Sequence, residues 1–144
     1  MDWRNAASPQ ARDDLDSLLE DSMQLAGRAL RSGSRFAPFM LVIGGTSDRN
    51  ARQLNALPAG GGESEARTLL ESADDRTLLR ARATVFDVTA REPISGDAIK
   101  VSLEHRDGIA IDVLVPYSLT GGGVTIDMDR ANAAVAPTRL WPSP

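Results

Sequence analysis

The stretch that decides the fold runs DAIKVSLEH (97–105), RDG (106–108), IAIDVLVPY (109–117) and, after a glycine run, VTIDMD (124–129). Ile99, Val101 and Leu103 alternate with Ala98, Lys100, Ser102 and Glu104. Ile109, Ile111, Val113 and Val115 alternate with Ala110, Asp112, Leu114 and Pro116. Val124, Ile126 and Met128 alternate with Thr125, Asp127 and Asp129. A period of two places one set of side chains on each face of a strand, and consecutive strands of this kind predict an antiparallel sheet with one face buried and one wet.

The connection at 106–108 fixes a register. A two-residue loop at Asp107-Gly108 would set Leu103 against Asp112, core against solvent, and such a slip is strongly penalised where one face is buried. A three-residue loop, Arg106-Asp107-Gly108, sets Leu103 against Ile111 and Val101 against Val113. It needs a left-handed residue in third place, where Gly108 stands. For the preceding strand, Arg82–Ala90, pairing Val88 with Ile99 and Phe86 with Val101 puts Asp87 opposite Lys100 on the outer face.

Working outward, Leu15, Leu18, Leu19, Ser22, Met23, Ala26, Ala29 and Leu30 recur at three- and four-residue spacing and predict a helix. Asp13, Asp14 and Asp16 lie in its first turns, Arg28 and Arg31 in its last, and Gly33 stops it. A strand is predicted at Phe36–Ile43, beginning in earnest after Pro38, then a turn at Gly44–Asp48 and a weaker strand within Arg49–Leu57. Pro58–Gly62 reads as a loop and Glu63–Leu79 as a second helix, with Ala66, Leu69, Leu70, Ala73 and Thr77 on one face. Arg76, Arg80 and Arg82 beside Asp74 and Asp75 read as a solvated helix end. A last extended stretch covers Ala133–Trp141.

The expected fold is α+β: a mostly antiparallel sheet of five or six strands with two helices packed on one face. Residues 1–9 read as a flexible tail and 10–144 as a single domain. The expected core is Leu15, Leu19, Met23, Leu30, Leu41, Ile43, Leu69, Leu70, Phe86, Val88, Ile99, Val101, Leu103, Ile111, Val113, Ile126 and Met128.

Composition narrows the chemistry. The 144 residues contain no cysteine and one histidine, His105. Disulfides, thiolate metal sites and cysteine nucleophiles are excluded, and any triad would have to use His105 as its base. With a net charge of −4 and no basic run, general nucleic-acid binding is disfavoured. The beginning of the chain has no basic segment followed by an apolar one, and the longest apolar run, 36–43, is far short of a membrane span. The expectation is a cytoplasmic protein with no membrane or nucleic-acid partner. The glycine runs at 44–45, 60–62 and 121–123 lack phosphate-loop spacing and its lysine, and no Gly-x-Ser-x-Gly elbow is present.

Three sets of candidate residues remain. His105 is the candidate acid, base or pH sensor, because histidine is the residue type whose unperturbed side chain changes charge near neutrality. Asp112, Asp127 and Asp129 are candidate hard-cation ligands, although they alternate along strands and do not converge from one loop. Val85, Asp87, Lys100 and Leu114 are candidate interface residues on an outer face that is more apolar than a wetted face needs to be. In a dimer built on that face Leu114 would be central and the Asp87–Lys100 pair at the rim.

The strings Phe86-Asp87-Val88, Asp97-Ala98-Ile99, Leu103–Gly108 and Pro116-Tyr117, with Trp141 near the end, resemble a group of small uncharacterised bacterial α+β proteins. That resemblance implies helices on an antiparallel sheet and carries no activity across. The functional expectation is a non-enzymatic protein-interaction module, a homodimer or a partner-docking protein, with no cofactor. The alternative is a small-molecule or divalent-metal-dependent enzyme using the outer-face carboxylates and His105.

Overall fold

The computed structural model describes residues 5, 7–31, 38–44, 52–55, 79–90, 96–120, 123–138 and 141. Among these residues one long helix, α1 (Pro9–Arg31), precedes seven strands: β1 (Phe39–Gly44), β2 (Arg52–Asn55), β3 (Leu79–Ala90), β4 (Gly96–His105), β5 (Ile109–Thr120), β6 (Gly123–Ile126) and β7 (Asn132–Val135). A single 3-10 turn, Met128–Arg130, separates the last two. All pairings are antiparallel, in the order β2-β1-β3-β4-β5-β6, with β7 also on β5. β6 pairs with the end of β5 (Tyr117–Thr120) and β7 with its beginning (Ile111–Leu114). They share one edge, so the sheet is six positions wide. The α+β architecture stands. The second expected helix, with Leu69 and Leu70, lies outside the described residues except for Leu79, which opens β3. The turn at 45–48, the 58–62 loop, Arg76 and residues 1–4 also lie outside them.

The helix starts where local chemistry sets it. Ser8 Oγ accepts the Ala11 N–H at 3.1 Å and Ser8 O accepts the Arg12 N–H, which makes Ser8 the N-cap and Pro9 the first helical residue. Ser8 and Pro9, read from the sequence as the end of a tail, thus open this helix. Leu15, Leu18, Ala26 and Leu30 form the buried stripe of α1, which lies across β3 and β4 and reaches β1 and β6. A methyl group added at Gly27 would lie 3.3 Å from Ile126 Cδ1, so the missing side chain is what lets β6 come this close.

The β4–β5 hairpin has the predicted register: Leu103 faces Ile111 and Val101 faces Val113. Residues 106–108 make the turn, and Gly108 takes φ +98°. A Cβ there meets nothing within 4 Å, so the requirement is purely conformational. Gly108→Ala should cost about 1–2 kcal/mol, the left-handed penalty of an L-residue, measurable as a lowered urea midpoint at unchanged slope.

The β3–β4 register is one residue from expectation. Asp87 faces Ile99, Phe86 faces Lys100 and Val88 faces Ala98. Asp87 therefore does not oppose Lys100. It lies on the helix side, where it accepts the Tyr117 hydroxyl at 2.6 Å. Phe86 is buried on the other side, and Ala81, Ala83 and Val85 supply β3's contribution beneath the helix. Met128 is 47% exposed because the chain leaves the sheet after Ile126 for the 3-10 turn.

The second face is not wet. Arg82, Thr84, Phe86, Ala98, Ser102, Glu104 and Ala110 are all buried there. Met40, Val42 and Leu79 form a small apolar cluster on that side, and Trp141 packs against it. Half of the alternation is therefore polar without being solvated.

Candidate functional site

A bulge at the start of β3 organises the polar chemistry. Ile43 pairs with Ala81 but Gly44 pairs with Leu79, so Arg80 is an extra residue. A bulge reverses which face the preceding side chains point to. Leu79 turns to Met40 and Val42, and Arg80 turns under the helix. Arg80 and Arg82, expected at a solvated helix end, are instead 2% and 1% exposed on opposite faces of one strand.

Under the helix, Asp14 is the hub. Arg80 donates to it through two nitrogens, Nε to Oδ2 at 2.9 Å and Nη2 to Oδ1 at 3.0 Å. His105 Nε2 reaches Oδ2 at 2.9 Å. His105 Nδ1 accepts the Asp107 N–H at 3.1 Å, so Nε2 carries the proton and donates to Asp14. The Asp107 carboxylate accepts the Ser8 hydroxyl at 2.9 Å, which closes the circuit to the helix cap. Burial pushes the Asp14 carboxyl up, but the hydrogen bonds from Arg80 and His105, with the Arg80 charge, outweigh it and hold the group below the usual carboxylate range. The cluster fastens α1, the β3 bulge and the hairpin tip together.

On the second face, Arg82 Nη2 donates to Glu104 Oε1 at 2.7 Å, and Nη1 donates to Ser102 O at 2.7 Å and Thr84 Oγ1 at 3.2 Å. Glu104 Oε2 accepts the Trp141 N–H at 3.1 Å. Arg82 and Glu104 are cross-strand neighbours in the β3–β4 ladder, as are Thr84 and Ser102.

The expected site residues are scattered. His105 is fully buried with both ring nitrogens engaged, so in this arrangement it presents no lone pair to solvent. Val85 is fully buried beneath the helix. Lys100 and Leu114 lie half-buried on the second face, opposite one another. Asp112 is half-buried on β5. Asp127 lines a shallow cleft of about 200 Å³ with Asp97 and Arg130, and Asp129 is exposed on the 3-10 turn. Among the described residues no three His, Asp or Glu side chains gather as a metal site would require. No helix among them is long and apolar enough to cross a membrane.

Sequence reasoning missed Asp14, Arg80 and Arg82 as a site, and it read Glu104 as one carboxylate of a wet outer face, whereas it is buried against Arg82. A signal was present: Arg80 and Arg82 are interleaved with Ala81 and Ala83, and two long cations on a strand of small residues have room to lie inward.

β7 is mostly exposed among the described residues. Ala136 N–H bonds Ala110 O, so the even-numbered residues of this ladder turn their backbone groups toward β5. Ala133 and Val135 turn theirs to the outer edge. Among the described residues no strand pairs with that edge. It carries no charge from Ala131 to Ala136. Val135 is 65% exposed, and Met128 is exposed on the 3-10 turn that leads into β7.

These features define an α+β protein on one antiparallel sheet, with a buried ion pair on each face and an open edge. No family model, curated protein or solved structure matches the chain.

Proposed function

We propose that the chain is a non-enzymatic interaction module that self-associates by adding the β7 strand of a second copy to its own. The carrying observation is the β7 edge: outward backbone donors and acceptors with exposed apolar side chains and none of the lysines, inward charges or bulges that blunt natural edges. The hydrogen-bond phase fixes the pairing. Since Ala133 and Val135 face outward, a two-fold antiparallel pair sets Ala133 of one copy opposite Val135 of the other, with Ala134 on the axis. That register makes about four new hydrogen bonds and brings no like charges together within the strand. It also supports moving the expected interface away from Leu114, whose face is largely occupied by the chain's own buried side chains.

Val135→Lys tests this. Val135 is mostly exposed, so the substitution leaves the fold intact while placing a charge beside the axis. Sedimentation velocity at about 100 μM, above the range expected for a specific dimer of micromolar affinity, should show a wild-type dimer and a folded Val135→Lys monomer. A dimer that survives Val135→Lys sinks the edge reading.

A further inference from the structure

His105 divides its two ring nitrogens between a fixed partner and a changeable one. Nε2 meets Asp14 Oδ2 at 2.9 Å beneath the helix. It donates there whether the ring is neutral or charged, so this contact need not change when the ring takes a second proton. Nδ1 faces the hairpin turn, where it accepts the Asp107 N–H at 3.1 Å. That bond exists only while Nδ1 keeps its lone pair. A proton on Nδ1 makes it a donor and sets two N–H groups against each other.

The same residue carries the partner that a charged ring needs. Asp107 Oδ2 stands 3.6 Å from Nδ1, too far for a hydrogen bond, and is held instead by the Ser8 hydroxyl at 2.9 Å. A charge-assisted contact of about 2.8 Å is less than about 1 Å of movement away. The Asp107 side chain is exposed at the turn while the ring is fully buried, so this carboxylate links the ring to water.

The charges around the ring agree with that exchange. From α1 the ring faces Asp14 and from β3 it faces Arg80, and these two pair with each other through two guanidinium nitrogens. From the turn it faces Asp107. Its ladder neighbours, Ala81 on β3 and Ile109 on β5, carry no charge. Since the Asp14 and Arg80 charges offset one another, Asp107 is the group placed to balance an imidazolium.

We propose that His105 is a proton-operated switch at the start of α1. When neutral, the ring takes the Asp107 N–H and leaves the Asp107 carboxylate to Ser8, which ties the helix cap to the hairpin tip. When protonated, Nδ1 drops that N–H, draws the carboxylate away from Ser8 and releases the tie, while the Asp14 contact persists. Ser8 Oγ accepts the Ala11 N–H in either state, so the helix stays capped and only its fastening to the turn changes. The switch makes no use of the β7 edge and stands or falls apart from self-association.

His105 is the only histidine in the chain, so isotope labelling of histidine alone lets nuclear magnetic resonance read its ring without interference. The titration runs downward from about pH 8, where an unperturbed imidazole is neutral. Nδ1 should pass from an unprotonated to a protonated signal in one step while Nε2 stays protonated. The Asp107 and Ala11 amide signals should move in that same step. Two variants at exposed positions should shift the step in opposite directions. Ser8→Ala removes the competitor for the Asp107 carboxylate and should move the step to higher pH. Asp107→Asn removes the charge that receives the ring and should move it to lower pH. A histidine that only fills space gives no such opposed pair. An Nδ1 that holds one protonation state until the fold is lost overturns the switch. So does a step that leaves the Asp107 amide unmoved, or one that the two variants do not displace in opposite directions.

Discussion

Asp14→Ala is expected to destabilise the fold by about 3–5 kcal/mol, the cost of leaving the other half of a buried ion pair without its counter-charge. Such a loss is a large part of a small domain's total stability. The size follows from where Asp14 sits. It is fully buried, takes both donors of the Arg80 fork, and accepts the His105 N–H. Removing it takes the bidentate carboxylate from a guanidinium 2% exposed and the acceptor from the imidazole N–H together. Chemical denaturation at neutral pH should show the midpoint falling at unchanged slope. Asp14→Ala combined with Arg80→Leu should recover part of the loss, since an apolar pair removes the stranded charge, while the unmet His105 N–H keeps about 1–3 kcal/mol. A single-variant loss under about 1 kcal/mol, the range of an exposed pair, would show that the cluster does not hold the helix.

The same carboxylate sets a pH dependence. Its folded pKa lies below the unfolded value, so the folded state binds the proton less readily. Asp14 therefore contributes stability in full above about pH 4, the unfolded carboxylate value, and that contribution is lost as pH falls through its lowered folded pKa. Comparing wild type with Asp14→Asn across acid pH should show the gap between them closing below about pH 4. A gap that widens on acidification would reverse the assignment.

The β4–β5 hairpin was legible because two independent constraints agreed: the apolar alternation of both strands and the one residue in the loop free to take a positive φ. The β3 register lacked such a second constraint. Its two faces, Ala81-Ala83-Val85 and Arg82-Thr84-Phe86, differ little in apolar weight. The largest residue, Phe86, pointed to the wrong side, because alanines under a close-packed helix are core without looking like it. The candidate site was less legible still. Alternation reports which residues share a face, not whether a polar face is wet. Glu104 and Ser102 read as solvent-facing because they are polar, whereas here they satisfy one another's neighbours. The bulge at Arg80 has no glycine or proline to announce it, and without it Arg80 would have faced away from Asp14.

Glu104→Ala is expected to cost about 3 kcal/mol or more by the same reasoning applied to the opposite face, and to release the end of the chain. Both oxygens of this buried carboxylate are used: Oε1 by Arg82 and Oε2 by the Trp141 N–H. The first contact ties β3 to β4, and the second ties the terminal segment to the sheet. The two losses have different readouts. The stability term appears in the urea midpoint. The tether appears in tryptophan fluorescence, read in a Trp3→Phe background so that Trp141 is the sole emitter among the chain's two tryptophans. Glu104→Gln separates them further: the amide keeps an oxygen for one donor but removes the charge, so it should lose stability through Arg82 while retaining part of the Trp141 environment. Because Asp14–Arg80 and Arg82–Glu104 lie on opposite faces with no shared partner among the bonds described, Asp14→Asn and Glu104→Gln should add within about 0.5 kcal/mol when combined. A coupling well above that would mean that β3, which carries both arginines two residues apart, transmits strain from one face to the other. Unchanged Trp141 emission in Glu104→Ala would show that the apolar cluster alone seats the terminal segment.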